Sequence, residues 1–262
     1  MVNDPGGLQE DELPGATSVL AVCAHPDDES FGLGAVLAAF ADAGSSTAVL
    51  CFTHGETSSL GSNTSELGRI RAAELADAAT ELGIHHVELF DYPDGELSQQ
   101  PLDQLAEHVS QVSEGVRADL LLVFDKGGVT GHLDHGRATE AAFVFAQEAG
   151  LPVLAWAMSE PVADSLNTEL GTRFIGRAAD QLDLVVHVDR RKQHKAISRH
   201  TSQATGNRVL WRRLELQGDD EAFRWLRPPS RRSSIGTTIG LSHLHNRDDR
   251  REKSMVWDTR TM

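Results

Sequence analysis

The chain has 262 residues, 40% of them hydrophobic, and a formal net charge of −15 with histidine neutral. That length suits one large α/β domain or two small ones and is enough to bury a sizeable core. The acidic balance repels phosphate backbones and argues against a nucleic-acid partner. No run of about 18 apolar residues is present, so no membrane span is expected.

Cys23 and Cys51 are the only cysteines, and both fall in apolar runs that read as core. Residues 1–15 are polar, acidic and contain Gly and Pro, unlike a secretory leader. With no disulfide framework, a reducing cytoplasm is the expected setting.

Taken in chain order, the run Ser-Val-Leu-Ala-Val-Cys over 18–23 predicts a buried parallel strand. An Ala- and Leu-rich helix follows over 31–43, then a strand over 47–53 and a helix over 65–82 that Gly83 stops. A strand over 86–90, a helix over 102–116 and a strand over 119–124 complete the first half. The second half repeats the alternation: a helix over 135–149 ending at Gly150, a strand over 152–158, a helix over 161–170, a strand over 183–188 and a helix over 192–203. Such alternation predicts an α/β, Rossmann-like three-layer fold with a mostly parallel sheet. The expected strand order is 3-2-1-4-5 with additional strands outside it. Pro228-Pro229 then breaks the pattern, and the remainder is rich in Arg and Ser. The chain is thus expected to divide into a flexible N-terminus (1–15), one enzymatic domain (16–228) and a polar C-terminal tail or extension (229–262).

Two polar segments each follow a predicted core strand and precede a predicted helix. They are Ala24-His25-Pro26-Asp27-Asp28-Glu29 and, beyond a Gly-rich turn, Gly131-His132-Leu133-Asp134-His135. In the expected order strands one and four are neighbours at the point where the winding reverses. Open α/β sheets bind ligands in that crevice, beyond the carboxyl ends of the strands. His25, Asp28 and His135 offer two imidazoles and a carboxylate, the donor set of a catalytic zinc with a position left for water. The same set suits Fe2+. Asp27, beside a ligand, is placed to serve as general base. His132 is a candidate oxyanion stabiliser or acid, and Asp134 a candidate to orient a histidine and keep it charged. Taken singly, His-Pro-Asp is equally a turn, and Asp28 or Ser30 a helix N-cap. The joint occurrence after two core strands is what points to a single hydrolytic metal site.

These segments resemble the LmbE-like, or PIG-L, N-deacetylases, over roughly residues 17–205. Thr53-His54-Gly55-Glu56, Arg71-Ala72-Ala73-Glu74, Asp91-Tyr92-Pro93-Asp94-Gly95 and His200-Thr201-Ser202-Gln203 match weaker motifs of the same family. The resemblance implies zinc on His25, Asp28 and His135, Asp27 as base, His132 as acid or oxyanion stabiliser, and Arg71 and Asp91 as sugar contacts. By residue type alone, Arg71 is equally an i,i+3 partner of Glu74, and Asp91 a strand-end turn residue. Thr130 departs from the pattern: the mycothiol-pathway members carry a tyrosine there. The implied activity is metal-dependent removal of an acetyl group from a small N-acetylglucosamine-type conjugate. The alternatives are an amidase on a thiol or other N-acyl sugar conjugate, and a non-catalytic sugar-binding protein that keeps its metal. Spacing assigns no role to His194, His200, His243 or His245.

Overall fold

The computed structural model describes residues 12–60 and 66–230. Of the expected N-terminal segment only 12–15 is therefore described. The expected C-terminal extension lies outside the described residues beyond Ser230.

The sheet is built outward from β1 (Ser18–Cys23), all six residues of which are buried. Alternate side chains go to opposite faces: Val19, Ala21 and Cys23 join one core, Leu20, Val22 and Ala24 the other. A strand buried on both faces needs apolar residues throughout, which is why the run is continuous rather than alternating. β2 (Ser46–Thr53) and β3 (His86–Tyr92) extend the sheet on one side, and β4 (Leu120–Phe124) and β5 (Val153–Ser159) on the other. All four pairings are parallel. The first core is covered by α2 (Gly34–Asp42), α3 (Leu67–Leu82) and α6 (Glu160–Leu170), the second by α4 (Leu102–Val116) and α5 (Leu133–Ala149). Cys23 and Cys51 are both buried free thiols at paired positions of β1 and β2.

The expected order 3-2-1-4-5 is present and continues as β8-β7. A two-residue strand β6 (Gly176–Arg177) pairs with the end of β5, and β7 (Leu184–His187) forms the far edge. Between β5 and β7 runs β8 (Asp220–Arg227), antiparallel to both. Neither β8 nor the helix before it, α9 (Arg208–Gln217), is expected from the sequence pattern.

Two predicted helices are each broken. The helix expected over 31–43 is α1 (Asp28–Phe31) followed by α2, with a turn at Gly32 and Leu33. A Cβ on Gly32 would stand 2.6 Å from Phe124 Cε1, so only glycine lets this corner sit against β4. The helix expected over 192–203 is α7 (Arg191–Arg199) and α8 (Thr201–Ala204). The break falls at His200, whose ψ of 55° leaves the helical region and whose ring turns inward.

Candidate active site

β1 and β4 pair directly, so the two polar segments emerge side by side from the carboxyl end of the sheet. Three donor atoms converge there. His135 Nε2 lies 3.2 Å from His25 Nδ1 and 3.1 Å from Asp28 Oδ1. Ligands at about 2.0–2.1 Å around a tetrahedral ion stand about 3.3 Å apart, so these spacings fit a first-row divalent cation. The other Asp28 oxygen is occupied: Oδ2 accepts from the backbone N–H of Ala24 and of His25, both at 3.0 Å. His132 also offers a ring nitrogen within 4.8 Å of those of His25 and His135. Its Nδ1, however, accepts from the Asp134 N–H at 3.2 Å as the N-cap of α5, which leaves its proton on Nε2.

His135 is held from behind. His135 Nδ1 faces Gly128 O at 3.2 Å and Thr130 Oγ1 at 3.0 Å. The Thr130 hydroxyl in turn donates to Gly128 O at 3.2 Å, so Nδ1 carries the hydrogen and Nε2 presents its lone pair. Gly128 has φ 75°, and a Cβ on it would stand 2.6 Å from His135 Cβ. Glycine is what lets the turn carbonyl approach the ring. His25 Nε2 lies 3.0 Å from Asp94 Oδ1 and 3.5 Å from Asp134 Oδ2, off the ring's N–H axis. Burial opposes a charge on His25, but the carboxylates of Asp134 and Asp94 more than offset it and raise its pKa to about 10. Burial likewise opposes a charge on Asp28, but His135 and His25 hold its carboxyl well below the usual range. Three aspartates, Asp28, Asp94 and Asp134, thus crowd the two imidazoles, a surplus of negative charge that a divalent cation would neutralise.

Asp27 stays out of the donor triangle and lines the cleft. Its backbone has φ 120° and ψ −25°, an unfavourable conformation for a residue with a side chain. The conformation is pinned: Asp27 N donates to Glu29 Oε2 at 2.9 Å, and Arg71 Nη2 stands 3.1 Å from Asp27 Oδ2. Burial pushes the Asp27 carboxyl up to about 6, against the pull of the Arg71 guanidinium. Glu29 Oε1 meets His200 Nε2 at 2.7 Å and accepts from Ser30 Oγ at 2.6 Å. Glu29 and His200 are both 0% exposed. Burial disfavours a charged His200, but Glu29 outweighs it and raises the pKa. His200 therefore acts two steps from the cleft, a role the sequence leaves open. Ser202 donates to Glu74 through its N–H and its hydroxyl at 2.8 and 2.6 Å, and Gln203 Oε1 accepts from Ser58 Oγ at 2.6 Å.

Two expectations are corrected in detail, and a third becomes specific. Arg71 is 3% exposed; besides Asp27, its donors go to the carbonyls of Gly55 and Pro26 rather than to Glu74. Its guanidinium is spent on the loop that carries Asp27, although the residue still lines the cleft. Asp91 points away from the cluster: its side chain is 94% exposed and pairs with His54 Nε2 at 2.8 Å. Pro93, Asp94 and Gly95 turn the chain after β3, and the carboxylate that enters the site is Asp94. Asp134 is fully buried, and the histidine that its carboxylate faces is His25. The carboxylate also accepts from Gly95 N and Leu97 N at 2.7 and 3.2 Å. His132 is not held charged: burial lowers its pKa, helped by His25 and His135.

The cleft that unites these residues has a volume of about 440 Å³. Its lining is polar at Ser58, Asp94, His132 and Gln203 and aromatic at Phe31, Phe124, Trp156 and Phe174. No described helix is long and apolar enough to cross a membrane.

Comparison with known proteins gives a consistent result. Residues 20–146 match the family model described as PIG-L: GlcNAc-PI de-N-acetylase. The chain is 29% identical over 170 residues to the 1D-myo-inositol 2-acetamido-2-deoxy-alpha-D-glucopyranoside deacetylase of Kineococcus radiotolerans, covering 53% of this chain and 47% of that one. It is 32% identical over 146 residues to the N-acetylglucosaminyl-phosphatidylinositol de-N-acetylase of Bos taurus, covering 53% and 55%. The chain spans about half the length of the curated relatives it matches. Among solved structures, the N,N'-diacetylchitobiose deacetylase of Pyrococcus horikoshii superposes with a TM-score of 0.60 at 20% identity, over 80% of this chain and 84% of that one. At that identity the likeness concerns the fold.

Proposed function

We propose, from the match of residues 20–146 to the PIG-L family model, that the protein is a zinc-dependent N-deacetylase. Its substrate in this reading is a small N-acetylglucosamine-type conjugate, and its setting the cytoplasm. The observation that carries the reading is the arrangement of one cleft: Asp27 and His132 flank the donor triangle of His25, Asp28 and His135 without belonging to it. A protein that only bound sugar would need no positioned base.

A divalent ion on His25, Asp28 and His135, zinc in this reading, would supply Lewis acidity, making water nucleophilic near neutral pH and drawing charge from the acyl oxygen. Asp27 accepts the proton of the attacking water; a carboxyl near pKa 6 in the metal-free protein is suited to that transfer. His132, with its proton on Nε2, donates a hydrogen bond to the acyl oxygen as negative charge develops there. Asp27 then returns its proton to the departing nitrogen, and acetate and a free amine result. Thr130 takes no part in holding the oxyanion in this scheme, because its hydroxyl is engaged with His135 and Gly128.

The test is elemental analysis of the purified protein followed by acetate release from a panel of N-acetylglucosaminyl compounds, with and without chelator. Stoichiometric zinc with chelator-sensitive acetate release is expected. A zinc-loaded protein that binds these sugars and never releases acetate would rule the reading out.

A further inference from the structure

Beyond the metal cluster the cleft changes character. Phe124 stands edge-on to His135 with ring centroids 4.8 Å apart, and Trp156 lies 5.1 Å beyond Phe124. Arg213 of α9 packs on this aromatic wall, its guanidinium carbon 5.1 Å from the Trp156 ring centroid. Arg213 is 4% exposed and lines the cleft.

The charges in this wall do not balance. Glu221 of β8 is its buried carboxylate, and Glu221 Oε1 lies 2.5 Å from Arg190 Nη1. Glu221 Oε2 accepts from Trp156 Nε1 at 2.6 Å and from Gln217 Nε2 at 3.2 Å. Arg213 makes bonds only to neutral acceptors, Gln217 Oε1 at 2.9 Å and the Phe31 carbonyl. Among the described residues no carboxylate pairs directly with it: the buried Glu221 is taken by Arg190, which also has the exposed Asp219 at 4.0 Å. Burial lowers the Arg213 pKa only to about 10, which leaves it cationic at neutral pH. A buried cation without a paired anion is costly. Its bond to Phe31 explains a donor at this place but not a charge, since the neutral Gln193 amide also donates to Phe31 O, at 3.2 Å.

We propose that Arg213, backed by Trp156, forms an anion subsite in the cleft that also holds the metal cluster, and that the preferred substrate carries a carboxylate or phosphate that reaches it. A guanidinium recognises either group through paired N–H donors, and the aromatic wall covers the apolar part of the ligand. The inference rests on the deacetylase reading for the identity of the rest of the substrate.

The test uses three aryl N-acetylglucosaminides that differ only in the aryl substituent: a carboxylate, a phosphate ester or a neutral carboxamide. Binding is measured by calorimetry on the metal-loaded full chain carrying Asp27→Asn, and turnover on the wild type. At least one anionic glycoside is expected to bind about tenfold more tightly than the carboxamide. That ratio should collapse to near unity when Arg213→Met is added; Arg213→Gln, which keeps a donor for Phe31, serves as the second variant. Equal Kd values for all three glycosides overturn the subsite, as does an anion preference that survives both substitutions. The comparison of phosphate with carboxylate identifies the anion. Absence of turnover with any glycoside counts against the deacetylase reading, whereas the binding ratio decides the subsite by itself.

Discussion

The Glu29–His200 pair lends itself to a quantitative test because nothing about it involves solvent. Both side chains are 0% exposed and meet at 2.7 Å. His200→Ala leaves Glu29 buried without its partner, and breaking a buried pair in this way costs about 3–5 kcal/mol. Glu29 keeps the Asp27 N–H and the Ser30 hydroxyl at 2.9 and 2.6 Å, which places the cost near the lower end, about 3 kcal/mol. At about 2–4 °C per kcal/mol for a domain of this size, Tm should fall by about 6–12 °C. The His200 pKa is raised above its ordinary value of 6.5. The stabilisation is therefore fully present below the unfolded value and is lost as pH rises through the folded one. The Tm gap between wild type and variant should accordingly be widest on the acid side of 6.5 and narrow toward alkaline pH. Scanning calorimetry of wild type, His200→Ala, Glu29→Gln and the double variant measures it. The double variant should recover part of the loss, because no charge is then left unpaired. A His200→Ala protein melting within about 2 °C of wild type at pH 6 would refute the reasoning.

Four further outcomes are expected. Asp27→Asn should lower kcat by about 10²–10⁴ with metal content unchanged by elemental analysis; near-normal turnover would remove Asp27 from the role of base. In the wild type, kcat/KM should rise with pH through an apparent value at or below about 6, since Asp27 must be ionised and a bound cation pulls its pKa down further. A kcat/KM that is flat across that acid range would contradict this. Thr130→Val deletes one of the two partners of His135 Nδ1 and should weaken metal binding about tenfold in competition with a chromogenic chelator; unchanged affinity would show that Gly128 O alone orients the ring. Asp94→Ala should cost at least about tenfold in kcat/KM or metal affinity, whereas Asp91→Ala, altering a side chain 94% exposed, should leave both near wild type. The reverse ranking would return the assignment to Asp91.

The parallel half of the fold is legible in the sequence because each of its strands is buried on both faces and must be apolar throughout, as Ser18–Cys23 is. β8 escapes for the opposite reason. Its Arg224 and Arg227 read as surface, and only the folded sheet shows Arg224 bound to the buried Asp125 and Arg227 to the Leu151 carbonyl. The donor triangle is legible because its members sit at the ends of adjacent strands, so a predicted strand order is enough to bring His25, Asp28 and His135 together. Asp94 is not, since choosing it over Asp91 requires knowing that the chain turns at Gly95, with φ 85°, after β3.

The supporting residues are harder still. Arg71 and Glu74 look like partners three residues apart, but each spends its side chain elsewhere, Arg71 on the Gly55 carbonyl and Glu74 on Ser202 of α8, 128 positions away. His200 finds Glu29 across 171 positions. A reacting residue carries its chemistry in its own identity and local spacing. A residue that holds another carries it only in the pair, and the pair exists only once the chain has folded. On this account the late His200-Thr201-Ser202-Gln203 segment is a brace: it fixes the strained backbone of Asp27 and the polar wall of the cleft from the opposite end of the domain.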